Sequence, residues 1–129
     1  MNIPTNQLPA DFLTATEILA LNLASSEPVV AYHQALQSLD ADPPAQALLQ
    51  RLGQVQSDIR ARQAQGAVTQ ADVEQLRALQ REVQSNPTIG NYASTQQSAV
   101  AYLRQVNQEI SQLLGIDFAA LARPTGGCC

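Results

Sequence analysis

The chain has 129 residues, of which 45% are hydrophobic, 4% aromatic and 14% charged, and its formal net charge is −4. Its seven Lys and Arg residues are spread along the sequence, so it lacks the dense basic surface that direct nucleic-acid binding requires. No apolar run reaches the roughly 18 residues of a membrane span, and the amino terminus lacks the basic and apolar segments of a signal peptide, so we expect a cytoplasmic protein.

The first two predicted helices are separated by a restart signal. Thr14 and Glu17 have the spacing of a capping box, and Pro9 offers an earlier start for the first helix. This helix continues to about Ser25. Ser26 is then a cap residue, followed by an acid and a proline that both suit a first helical turn, so a second short helix begins there.

The third and fourth predicted helices also begin at capping signals. Asp42 is a good N-cap for a helix that starts at Pro43, and Gly66 is expected to end that helix. Thr69 with Asp72 is the capping signal of the fourth helix. The apolar face of the third helix includes Leu52, Val55 and Ile59.

The longest predicted helix covers residues 86–115 and carries an a/d heptad seam. Asn86 caps it, Pro87 suits its first turn, and Gly115 supplies a left-handed residue at its end. The seam residues follow one another at alternating spacings of three and four: Ile89, Tyr92, Gln96, Ala99, Leu103, Val106, Ile110 and Leu113.

These elements predict an all-α fold, an antiparallel bundle of about five helices with one long C-terminal helix. Short connections favour antiparallel packing of consecutive helices. We expect one helical domain over residues 1–124 and a flexible tail, ending in cysteines, over residues 125–129.

The seam is longer than one small chain is expected to cover. We therefore predict a homo-oligomer that associates through the third and fifth helices, and a closed monomeric bundle is the alternative. Gln96 either fixes the register of this association or lies at a solvated edge of the seam.

The sequence offers no catalytic constellation. His33 is the only histidine, and no nucleophile, base and orienting residue are arranged around it, so it is interpreted as a surface or packed residue. The carboxylates of the third and fourth helices are interpreted as solvated surface: Asp58, Asp72, Glu74 and Glu82. Among them, Asp58 is expected to pair with Arg62 one turn later. We predict that the protein is not an enzyme.

Cys128 and Cys129 are the only cysteines, and they are adjacent at the end of the chain. Neighbouring cysteines do not form a structural disulfide framework. Thiolates bind zinc and iron–sulfur clusters, but a closed site needs about four ligands, so a second subunit or a partner would have to supply the others. A pair of reduced thiols and a prenylation site are the alternatives.

An ordered set of small, apolar and polar residues extends over most of the chain. It includes Leu19, Leu23, Ser26, Glu27, Tyr32, Ala35, Leu39, Asp40, Leu52, Gln56, Leu79, the run Asn86-Pro87-Thr88-Ile89, Tyr92, Ala99, Leu103, Val106 and Ile110. This pattern resembles the YlbF/YmcA family of small helical bacterial proteins. The resemblance implies self-association and a non-enzymatic regulatory role in competence, sporulation and biofilm formation, in a complex that influences ribonuclease Y and messenger RNA maturation.

The resemblance also bears on the terminal cysteines. Some proteins of that complex carry cysteines near the C-terminus that help to hold iron–sulfur clusters, and Cys128 and Cys129 lie at the corresponding end. This chain has only the adjacent pair, so a cluster would have to be shared with another chain. An iron–sulfur or metal-responsive sensor is therefore the alternative function.

Overall fold

The structure, a computed structural model, describes residues 8–121, and every helix or strand element in that range is an α-helix. This confirms the predicted all-α class and the long helix near the C-terminus. The helices are α1 (Ala10–Ala24), α2 (Glu27–Asp40), α3 (Pro43–Ala64), α4 (Gln70–Ser85), α5 (Pro87–Leu114) and the single turn α6 (Phe118–Leu121). None of these described helices is both long and apolar enough to cross a membrane.

Three predicted capping residues start their helices as expected. The side chains of Asp42 and Asn86 each accept a 3.1 Å hydrogen bond from the backbone N–H three residues later. Thr69 Oγ1 accepts a 3.2 Å bond from the N–H of Asp72, whose carboxylate accepts a 2.9 Å bond from the N–H of Thr69. The starts of α3, α4 and α5 are therefore determined by local sequence.

Two helices end at the glycines that the sequence indicates. Gly66 and Gly115 have φ of 67° and 68°, in the left-handed region that residues with a Cβ rarely adopt. The residue after each glycine donates a hydrogen bond to the carbonyl five residues back, at 2.9 Å and 3.2 Å respectively. This arrangement satisfies carbonyl groups that the ends of α3 and α5 would otherwise leave unpaired.

The capping signals proposed near the amino terminus are wrong in detail. Thr14 lies inside α1, which begins at Ala10 because Pro9 already supplies the extended residue that precedes a first turn. Ser26 occupies the N-cap position of α2, but its hydroxyl donates to the carbonyl of Leu23 at 2.6 Å and does not cap α2.

Helices α2 and α5 form an antiparallel pair. Leu39, at the end of α2, packs in one cluster with Ile89, at the start of α5. Val29, at the start of α2, lines a cleft with Leu103, which lies about four turns beyond Ile89 along α5. Residue numbers therefore rise along α2 as they fall along α5.

Helices α3 and α4 form a second antiparallel pair. An ion pair between Arg62 and Asp72 joins the end of α3 to the start of α4. At the opposite end of this hairpin, Val83 packs against the cluster that contains Ala45, Leu39 and Ile89. The two helix pairs meet at this cluster. Helices α3 and α5 do not pack extensively against each other.

The buried apolar core of the described residues is small. It consists of Ala35, Leu39, Ala45, Leu79, Ile89 and Ala99. Three of these six residues are alanines, whose small side chains allow the helices to approach each other closely. Much of the remaining aliphatic surface is left accessible.

Candidate functional site

The predicted seam of α5 is only partly covered. Ile89 and Ala99 are buried, Tyr92, Val106 and Ile110 are half-buried, and Gln96, Leu103 and Leu113 are exposed. Helix α2 has 14 residues and α5 has 28, so α2 ends well before Leu113 at the far end of the seam. Gln96 and Leu103 are exposed for a different reason, since they line an open cleft between α2 and α5.

The residues of α3 in the predicted interface lie on a different helix pair from the seam of α5. Leu52, Val55 and Ile59 are half-buried on a helix that packs extensively against α4. The structure does not bring them to the seam of α5 within one chain. An oligomer that uses both sets of residues stays a prediction.

Helix α1 presents the most extensive apolar surface among the described helices. None of its residues is buried, and α2 is the helix against which it packs. Its exposed large side chains are Phe12, Leu13, Ile18, Leu19 and Leu21. Large apolar side chains on a helix normally pack against other elements, and the residues that the structure describes leave these five exposed.

The two faces of α1 can be distinguished. Leu23 is its one half-buried residue and marks the side that faces α2. At about 100° per residue, Ile18 and Leu21 point about 140° and 160° away from Leu23. Their side chains are 54% and 69% exposed. We call these two residues the α1 outer face.

A cleft of about 320 Å³ lies between α2 and α5. It is lined by Val29, Tyr32, His33, Gln96, Ala99, Val100 and Leu103. Val100 and Leu103 remain exposed although both are aliphatic. The α2/α5 cleft is therefore an apolar surface with few polar groups, and nothing within the described residues fills it.

Two tyrosines pack together beside this cleft. The rings of Tyr32 and Tyr92 have centroids 5.7 Å apart and are tilted by 36°. A side-chain hydrogen bond with Tyr32 is the largest cause that raises the pKa of Tyr92, and burial and the charge of Asp40 act in the same direction. The raised pKa keeps the Tyr92 hydroxyl protonated at neutral pH, so we interpret the pair as a packing feature. His33 is exposed, with its ring 5.7 Å from that of Tyr32.

The carboxylate of Asp72 is buried, which corrects its interpretation as solvated surface. Hydrogen bonding from the backbone N–H of Thr69 is the main cause of a lowered pKa for Asp72, with further contributions from the Thr69 hydroxyl and Arg62. Arg62 pairs with Asp72 and not with Asp58, which instead accepts a 3.0 Å bond from Gln54. The arrangement joins two helices and leaves no free carboxylate oxygen for acid–base chemistry.

A second apolar surface lies at the carboxyl end of α5 and in α6. Its exposed side chains are Leu113, Leu114, Ile116, Phe118 and Leu121. It adjoins an open polar groove of about 620 Å³ lined by residues such as Arg104, Asn107 and Gln108. We call it the carboxyl-end patch.

No cluster of three or more potential metal ligands occurs in the part of the chain that the structure describes. Cys128 and Cys129 lie outside the described residues. Two thiolates are also half of the four ligands that a zinc or iron–sulfur site needs, so this chain does not supply a complete set. A shared cluster stays a prediction.

Helical packing, exposed apolar faces and a cleft with few polar groups define a small protein whose surface suits protein binding. A sequence model of the family described as "Control of competence regulator ComK, YlbF/YmcA" matches residues 13–114. The chain therefore belongs to this family of regulators, which confirms the resemblance predicted from its residues.

The same fold occurs in a solved structure. A chain from the crystal structure of Bacillus subtilis RicA in complex with RicF superimposes with a TM-score of 0.72 at 16% sequence identity. The match covers 84% of this chain and 96% of that chain. At this identity the likeness concerns the fold. Among curated proteins, none matches this chain.

The sequence interpretation missed the α1 outer face and the α2/α5 cleft. The signal for α1 was present, since its 15 residues contain only two charged side chains, Asp11 and Glu17. The cleft had no comparable signal, because it depends on how two helices distant in sequence approach each other.

Proposed function

We propose that this protein is a non-enzymatic regulatory adaptor of the bacterial cytoplasm, which acts by binding other proteins and copies of itself. The observation that carries this proposal is the apolar surface of α1, which the described part of the chain does not cover. Membership of a family of competence regulators supports the regulatory role. The fold is also found in a complex of two proteins, RicA and RicF.

The size of the exposed surface supports a binding role. The five large apolar side chains of α1, which lie on both faces of the helix, together expose on the order of 500 Å². Covering such an area yields about 25 cal/mol per Å², which is enough to favour association when the contact is well packed. An unassociated chain would leave this area in water.

We further propose that the adaptor modulates ribonuclease Y-dependent messenger RNA processing and thereby competence, sporulation or biofilm formation. The support is the family relationship together with the charge of the chain. A net charge of −4 disfavours direct binding to RNA, so an effect on RNA would act through a protein partner.

Affinity capture from the native bacterium, followed by mass spectrometry, tests the adaptor role. We compare the unmodified chain, an Ile18→Ser/Leu21→Ser variant and a Val68→Ser control. Val68 is 39% exposed in the connection between α3 and α4, away from α1. We expect specific partners, including a ribonuclease-associated protein, to be captured by the unmodified chain and the control and to be depleted at least tenfold in the α1 variant.

Two results would contradict the proposal. One is turnover of RNA or a small molecule by the purified protein alone. The other is capture that returns no partner above the level of an untagged control.

A further inference from the structure

We draw no further inference here: the strongest candidate, the α2/α5 cleft lined by Val29, Val100 and Leu103, is an apolar surface for which nothing in the described part of the chain shows what covers it.

Discussion

At the scale of single residues, Asp72 connects two helices through one carboxylate. One oxygen accepts from the backbone N–H of Thr69 at the start of α4, and the other pairs with Arg62 near the end of α3. Both contacts favour the ionised form, so the pKa of Asp72 is lower in the folded than in the unfolded protein. Its charge therefore contributes to stability at neutral pH.

This contribution has a definite pH dependence. It is present above the unfolded pKa, which is about 3.9 for aspartate, and it is lost as the pH falls through the lower folded value. We predict that Asp72→Asn lowers the urea midpoint at pH 7 and flattens the decline in stability below about pH 4. Urea titrations at several pH values measure this effect. The exposed Asp58→Asn serves as control, and an equal loss in both variants would contradict the assignment.

The terminal cysteines provide a second prediction at this scale. Because the proposed binding surface consists of aliphatic side chains, Cys128→Ser/Cys129→Ser should capture the same partners as the unmodified chain. Affinity capture is combined with visible absorption and iron analysis after anaerobic purification. Loss of partners together with loss of iron and colour would instead support a cluster-dependent sensor.

At the scale of the helices, the N-cap of α5 determines where the longest element begins. Asn86 accepts a 3.1 Å hydrogen bond from the N–H of Ile89, a residue buried at the junction of the two helix pairs. Loss of a cap costs about 1 kcal/mol. The Asn86 cap therefore sets the start of α5 and helps to position Ile89 in the core.

We predict that Asn86→Ala lowers the free energy of unfolding by about 1 kcal/mol, because one helical N–H loses its acceptor. Chemical denaturation measures the change. Asn91→Ala, at an exposed position of the same helix, is the matched control and should change stability by less than about 0.5 kcal/mol. A larger loss for the control than for Asn86→Ala would show that the cap is not the cause.

The sequence predicted features that depend on neighbouring residues, but not those that depend on contacts between distant parts of the chain. Asp42, Asn86 and Gly115 act on neighbours within a few residues, so their roles were predictable. The partner of Arg62 was not, since Asp72 reaches it only when α3 and α4 fold back on each other. The heptad seam could be recognised because it is a periodic pattern within one helix. How far α2 buries the seam could not be predicted, because that depends on the packing of two helices distant in sequence.

At the scale of the whole molecule, two antiparallel helix pairs share a small cluster at one end. Such an arrangement buries few large side chains and leaves α1 and the carboxyl-end patch accessible. The stability of the chain should therefore depend on what binds it, because anything that binds the folded state preferentially stabilises it. We therefore expect association to stabilise the folded chain.

In the proposed function α1 is a protein-binding interface, and hydrogen–deuterium exchange of α1 tests this role most directly. An unassociated, exposed helix of 15 residues opens readily, whereas a docked helix is protected. We predict that protection of Ala10–Ala24 increases with protein concentration or on addition of a captured partner, while that of α4 does not. Exchange of α1 that stays fast under all these conditions would contradict the account.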